Sequence, residues 1–342
     1  MYKEFYGLKE KPFQITPDPR FLYLSENHRE ALAHLTYAVR ERKGFTVITG
    51  EVGTGKTTLI QTLLGRLDGN TKTAYLFNPR LNPGDFLHYI CEDLGLKDHK
   101  KSKGEYLAQL HDFLIGCYSR NENVVLIIDE AQGLDPRLLE EVRLLTNLET
   151  PKSKLLQVIL MGQPELDSIL NTPQCRQLKQ RINLRYQIQS LKKEETRKYI
   201  EQRLRTAGAI YPRYFSPKAI KQIYKYSKGI PRLINIICDN ALLIGYATGQ
   251  RVIGPSVISE VVRDLERSSL RAKRKKFVQI LVAVFIFICL GLLLLWRGDE
   301  LMSNAMSFFK EAMNQAKEFY GKIPKEGKFL KDLFKEILRI FS

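Results

Sequence analysis

No two of the five cysteines, Cys91, Cys117, Cys175, Cys238 and Cys289, are spaced as C-x-x-C or in another metal-ligand pattern. A disulfide scaffold or a structural zinc site is therefore not what organises this chain, and the thiols read as small buried hydrophobes in a reducing compartment. The five histidines are equally scattered. His28, in the helix expected after Ser25, suits a surface position as well as a nucleotide contact. Internal repeats and low-complexity stretches are absent, which removes solenoids and long linkers. The opening residues Met1-Tyr2-Lys3-Glu4-Phe5 carry charge and no apolar run, unlike a signal peptide. Acidic residues are also scarce: 37 Asp and Glu face 54 Lys and Arg, for a formal net charge of +17.

What the chain does have begins between Gly44 and Thr58. The stretch Gly50-Glu51-Val52-Gly53-Thr54-Gly55-Lys56-Thr57, followed by Thr58, matches G-x-x-x-x-G-K-[ST]. It follows Thr46-Val47-Ile48, an apolar, β-branched run that reads as a buried strand, and it opens a helix-permissive segment. The glycines let the backbone curl so that successive N–H groups face phosphate oxygens, and the helix adds its positive N-terminal end. In such a loop Lys56 reaches the β- and γ-phosphates and the Thr57 hydroxyl sits on Mg2+. ATP and Mg2+ are the expected ligands, although adenine over guanine is not written in the loop itself.

A second constellation lies at Val124-Val125-Leu126-Ile127-Ile128, a fully apolar run ending in Asp129-Glu130-Ala131-Gln132. It reads as a central parallel strand with carboxylates at its carboxyl end, where open α/β sheets bind ligands. Asp129 is expected to hold Mg2+ through its water shell, and Glu130 to polarise the water that attacks the γ-phosphate. The plainer alternative is that the pair caps a helix beginning near Pro136.

Around these motifs stand Tyr2 to Gly7, Lys11-Pro12-Phe13, Pro17-Asp18-Pro19 and Tyr23-Leu24-Ser25. Downstream are Gly162-Gln163-Pro164-Glu165-Leu166, Gln180-Arg181-Ile182 and Gly229-Ile230-Pro231-Arg232-Leu233-Ile234-Asn235. In this order, over roughly residues 1 to 265, the chain resembles the AAA-type ATPases of the general secretion pathway A, or ExeA-like, family. The resemblance implies that Gln163 senses the γ-phosphate and that Arg232 reaches back from a helical lid. It also implies that Arg181 acts as an arginine finger on a neighbouring subunit's nucleotide, with Arg176 as an alternative. A homo-oligomer, a ring, follows from the finger. An isolated Arg is otherwise an ordinary surface residue or ion-pair partner.

Strands are expected near 45–50, 73–78, 124–129, 155–161 and 183–189. Helices are expected at Ser25–Arg42, Gly55–Leu67, Pro83–Leu94, Glu105–Tyr118 and Pro136–Leu148. From Lys192 the pattern is wholly helical through Glu194–Ala207, Pro217–Tyr226, Pro231–Ala247 and Pro255–Leu265. The fold class expected is α/β: a P-loop NTPase parallel sheet over residues 1–190 with a helical lid domain over 191–268.

Phe277 to Trp296 is a run of about twenty residues without charge, long enough to cross a bilayer as a helix. A basic juxtamembrane segment, 269–276, holds Arg271, Lys273, Arg274, Lys275 and Lys276, while Arg297, Asp299 and Glu300 follow the run. The positive-inside bias then sets the ATPase in the cytoplasm and residues 297–342 across the inner membrane, with membrane lipid touching the basic segment. In that tail Phe329, Leu330, Leu333, Phe334, Ile337, Leu338 and Phe341 share one helical face, as do Leu301, Met302, Ala305, Met306, Phe309, Ala312, Met313 and Ala316 one helix earlier. Two amphipathic helices that lie on lipid, dock on a partner or pair with each other all fit. The tail holds nine Lys and Arg against seven Asp and Glu, so about +15 resides on the rest of the chain.

The function expected is a membrane-anchored AAA-type ATPase that drives assembly of a secretion or polysaccharide-export apparatus, with envelope or export machinery proteins as partners. Two rivals stand beside it. One is a nucleic-acid-acting relative of the transposition or replication loader kind, which the charge would suit and the apolar run argues against. The other is an ATP-dependent membrane scaffold with little turnover.

Overall fold

The computed structural model describes residues 1–16, 18–77, 81–96 and 102–267. The apolar run, the basic segment before it and the amphipathic tail lie outside the described residues. Among the described residues no helix is long and apolar enough to cross a membrane.

Five strands alternate with helices. In chain order these are α1 (Tyr2–Phe5), α2 (Glu26–Arg40), β1 (Phe45–Gly50), α3 (Lys56–Leu64), β2 (Thr71–Leu76), α4 (Pro83–Asp93), α5 (Lys103–Ser119) and β3 (Asn123–Ile128). They continue with α6 (Pro136–Leu145), β4 (Gln157–Gly162), α7 (Glu165–Leu170), α8 (Arg176–Lys179) and β5 (Leu184–Ile188). After β5 come α9 (Lys193–Thr206), α10 (Pro217–Ser227) and α11 (Pro231–Ala247), with residues 255–262 again helical. Met1–Val262 forms one compact unit holding both the sheet and these helices.

Every strand pairing is parallel, and the order is β2-β3-β4-β1-β5. A sheet of this kind is apolar on both faces, and successive residues divide between them. Val47, Leu126 and Ile128 pack with Phe86, Leu87 and Leu110 of α4 and α5 on one side. Ile48, Val125 and Ile127 pack with Leu32, Leu35, Leu59 and Ile60 of α2 and α3 on the other. Each such fully buried aliphatic side chain contributes roughly 1.5–3 kcal/mol, so the carboxyl ends of the strands are carried on a stiff platform.

The alternating elements arise where expected, with shifted ends. α2 stops at Arg40 because Arg42 and Gly44 adopt left-handed φ values of 49° and 84° before the chain enters β1. β2 begins at Thr71 rather than 73, and β4 runs 157–162. The short helices α1, α7 and α8 have too few residues for a 3.6-residue periodicity to be visible. The four described cysteines, Cys91, Cys117, Cys175 and Cys238, are free and buried.

Candidate functional site

Because all five strands run the same way, their carboxyl ends share one edge of the sheet. The strand order sets β4 between β1 and β3. The chain leaving β1, the two carboxylates leaving β3 and the Gln163 leaving β4 therefore meet at one crevice, the usual place for a ligand in a doubly wound sheet.

The β1–α3 loop turns on Gly53 (φ +81°) and Gly55 (φ +100°), conformations that residues with a Cβ rarely adopt. Lys56 is the first residue of α3 and is buried. Its ammonium donates to the carbonyls of Gly50 (2.6 Å) and Glu51 (3.0 Å), which aims it across the loop's mouth. Burial pushes the Lys56 pKa below its ordinary value, against the opposing pull of Glu130, Asp129, Glu51 and Glu165. A lysine desolvated this far lacks a full counter-charge, which an anionic ligand would supply.

Thr57 and Asp129 are joined directly: Thr57 Oγ1 donates to Asp129 Oδ2 at 2.9 Å. The Tyr75 hydroxyl donates to the same oxygen at 3.0 Å, and the Glu130 N–H donates to Oδ1 at 2.9 Å. Asp129 is buried and therefore fixed in place. Its carboxylate raises the Tyr75 pKa further, after burial, so the phenol stays a donor. Asp129 and Thr57 thus present hard oxygen donors side by side, a donor set that fits Mg2+, which usually takes one or two protein ligands beside water and phosphate.

Glu130 sits in the left-handed region (φ 50°, ψ 37°), which turns its side chain out of the strand line. Gln163 Nε2 donates to Glu130 Oε2 at 3.1 Å, and the Gln132 amide donates to the same oxygen. Gln132 Oε1 in turn accepts the Gln163 N–H at 3.0 Å. Burial works to raise the Glu130 pKa, but the Gln132 and Gln163 hydrogen bonds and the Lys56 charge outweigh it, and the carboxyl ionises below its usual range. The role of Gln132 was not visible in the sequence. The one hint was its position two residues after Glu130; in the fold it lies close to Gly162, where a Cβ would come 2.8 Å from its Oε1. Helix α6 is capped by Asp135, which accepts the Arg137 N–H at 2.9 Å, so the 129–130 pair is not its cap.

The crevice opens into a cleft lined by Val52, Gly53, Thr54, Gly55, Lys56, Thr57, Thr58 and Glu130 on the sheet side and by Leu191, Tyr199, Pro231, Arg232 and Asn235 on the helical side. Residues of the N-terminal segment, Ile15, Thr16, Phe21, Leu22 and Tyr23, close a third wall. Helix α11 seats directly on the loop: the Arg232 N–H donates to the Gly53 carbonyl at 3.2 Å. A Cβ on Gly53 would stand 2.4 Å from the Arg232 Cβ, so glycine is required there twice over.

The third wall is pinned by Arg203 of α9. Its guanidinium donates to the Pro12 carbonyl (2.6 Å) and the Gln14 carbonyl (3.2 Å) and stacks over Phe21 at 4.8 Å. Tyr199 donates to Asn235 Oδ1 at 2.8 Å, tying α9 to α11. Pro12 and Asn235 fall in stretches that carry the resemblance, whereas Tyr199 and Arg203 lie in none of the quoted motifs.

Arg181 lies away from this cleft, with Nη1 donating to Thr146 Oγ1 at 3.4 Å, and Arg176 is exposed on α8. The structure brings together the loop residues, Asp129, Glu130, Gln163 and Arg232, and leaves the two candidate finger arginines apart from them. His28 is neither a surface residue nor simply a cleft wall: it is buried, and its Nε2 lies 2.8 Å from the Thr54 carbonyl.

Residues 39–170 match the family described as AAA domain. General secretion pathway protein A of Aeromonas hydrophila is 47% identical over 254 residues, 74% of this chain. The chain spans about half, 46%, of that relative's length. In fold it is similar to the ORC2 protein of Aeropyrum pernix (TM-score 0.55, 19% identity, 75% of this chain and 71% of that one). It is also similar in fold to Cdc6p of Pyrobaculum aerophilum (TM-score 0.56, 18% identity, 72% and 70%).

Proposed function

Because the chain belongs to the AAA-type ATPases related to general secretion pathway protein A, we propose that its cleft binds ATP with Mg2+ and hydrolyses it. The observation that carries this reading is the junction of two motifs 72 residues apart, Thr57 Oγ1 on Asp129 Oδ2, with Glu130 held beside them by Gln163.

The loop N–H groups and the Lys56 ammonium would take the phosphates, and the apolar wall of Phe21, Leu22, Tyr23 and Tyr199 would take the base. Thr57 and Asp129 would hold Mg2+, which when bound supplies charge neutralisation on the β- and γ-phosphate oxygens. Glu130, ionised and pinned on one oxygen, would orient a water so that its oxygen attacks the γ-phosphorus. The water's proton passes to the carboxylate, and the bond from the γ-phosphorus to the β–γ bridging oxygen breaks, with its electron pair leaving on ADP. Gln163 would report the γ-phosphate to Glu130 through their shared hydrogen bond, and Arg232 would carry the same information into α11.

The proposal extends to where this happens. The apolar run 277–296 would anchor the protein in the inner membrane with the ATPase on the cytoplasmic side. ATP-dependent ring formation, with Arg181 reaching a neighbour's nucleotide, would drive assembly of a secretion or export apparatus. The relative's name and the charge asymmetry around the run support this reading.

The test is Glu130→Gln in detergent-extracted full-length protein. It should bind ATP as wild type does, lose about 10²–10⁴-fold in phosphate release, and accumulate as an ATP-bound oligomer by light scattering. Unchanged turnover would remove Glu130 from the chemistry; an ATP-bound monomer would remove the ring.

A further inference from the structure

His28 has no place in the phosphate-loop motif, yet it is 2% exposed and has a partner on each ring nitrogen. Its Nε2 faces the Thr54 carbonyl at 2.8 Å, and its Nδ1 faces Ser25 Oγ at 2.6 Å. A carbonyl only accepts, so Nε2 carries the proton, and Nδ1 is then a lone pair that accepts from the Ser25 hydroxyl. Ser25 Oγ meanwhile accepts the His28 N–H at 3.3 Å as the N-cap of α2. Ser25 and His28 occupy the N-cap and N3 positions of α2, but they do not form a capping box: the Ser25 N–H donates to the Tyr23 carbonyl at 3.1 Å, and the imidazole takes the Ser25 hydroxyl instead.

The consequence lies in the peptide that His28 grips. In a trans peptide the C=O of one residue and the N–H of the next point in opposite directions, and no peptide in the described residues is cis. Holding the Thr54 carbonyl toward His28 therefore turns the Gly55 N–H away from it. Gly55 is the last residue before α3, at φ +100°, and a Cβ there would approach Nε2 to 3.3 Å. The imidazole and the glycine thus fit each other. Ser25 also stands two residues after Phe21–Tyr23, the stretch that lines the cleft's third wall.

We infer that His28, held in one tautomer by Ser25, is a positioning residue for the nucleotide site: it fixes the Thr54–Gly55 peptide of the phosphate loop and ties that loop to the wall proposed to take the base. The inference rests on the nucleotide reading for its purpose but not for its geometry, and the experiment separates the two.

Amide exchange is followed in nucleotide-free full-length protein at Thr54 and Leu59, whose N–H groups bond the Glu51 and Gly55 carbonyls, and ATP affinity is measured in parallel. His28→Leu, which deletes the buried donor, should speed exchange at these two sites about tenfold, weaken ATP by a similar factor and leave the β-strand amides unchanged. His28→Gln, which can return an N–H to Thr54, should recover most of both. ¹⁵N spectra of the wild-type imidazole should show the neutral Nε2–H tautomer. Unaltered loop exchange in His28→Leu overturns the inference, as does acceleration spread evenly over the core strands with no recovery in His28→Gln. A wild type that binds no ATP would instead overturn the nucleotide reading, while loop exchange would still decide what His28 does.

Discussion

The phosphate end and the opposite end of the same cleft are built in different ways. At the phosphate end eight consecutive residues form the loop, and Tyr75, Asp129, Glu130, Gln132 and Gln163 are brought in from other strands and the turns that follow them, with Arg232 and His28 held on the loop backbone. At the other end Phe21, Tyr23, Tyr199, Arg203 and Asn235 come from three separate stretches, joined by Arg203 to the Pro12 and Gln14 carbonyls. A cradle for phosphate depends on backbone direction, which a short glycine-containing string can dictate by itself. An apolar wall depends on which surfaces tertiary packing leaves facing one another. The first should be brittle to single changes in the loop, and the second should respond to changes remote in sequence.

The largest effect expected is Lys56→Ala, which removes a buried cation aimed into the loop. ATP and inorganic tripolyphosphate should both lose at least about a hundredfold in affinity by calorimetry. Equal loss for both ligands would place Lys56 on the phosphates, whereas loss for ATP alone would break the division of the cleft.

Arg203→Lys should act the other way round. Lysine keeps the charge but cannot hold two carbonyls and stack on Phe21 together, so the fold should lose about 2–3 kcal/mol by thermal unfolding. ATP should weaken while tripolyphosphate hardly changes. A variant that weakens both ligands equally would mean that the two ends are one mechanical unit.

Gly53→Ala sharpens the boundary between loop and lid. Its Cβ would collide with the Arg232 Cβ at 2.4 Å and would strain a φ of +81°, at a cost of about 1–3 kcal/mol. Gly69→Ala, where nothing lies within 4 Å, should stay within roughly 0.5 kcal/mol of wild type.

The smallest effect concerns pH. Burial depresses the His28 pKa below its ordinary 6.5, against the Thr54 hydrogen bond and the Glu195 charge, which act to raise it. Below about that pH the unfolded chain takes up a proton that the folded one refuses, so stability falls as pH falls. Between pH 7.5 and 5.5 the melting temperature should drop further in wild type than in His28→Gln. An equal drop would show that the buried imidazole takes up its proton as readily as it does in the unfolded chain.

How much could be read beforehand follows the same division. The strand–loop–helix at 45–64 and the carboxylates at 129–130 were legible because each is a local string with its own periodicity. Gln163 and Arg232 were reachable only through resemblance to a family, since neither has a local signature. His28 had a signal in the Ser25-x-x-His28 spacing, but helix-cap spacing says nothing about which loop lies opposite. Gln132 stood in plain view beside the carboxylates, and its tie to Gln163 depends on β4 lying beside β3. Arg203 looked like any solvated arginine of a charged helix until the N-terminal segment covered it.

The sequence by itself determined that a phosphate loop ends a buried strand, that two carboxylates end another, that the sheet is parallel with helices between its strands, and that helices alone follow. These follow from side-chain period, glycine conformation and the lack of polar residues in the strands, all properties of neighbours along the chain. Only the tertiary structure decided that Glu130 is gripped by Gln163, that Arg232 rests on Gly53, that Arg203 ties down the third wall and that His28 holds the loop. Each of these joins residues from different elements, and which elements meet is settled by strand order and by how helices cover both faces of the sheet.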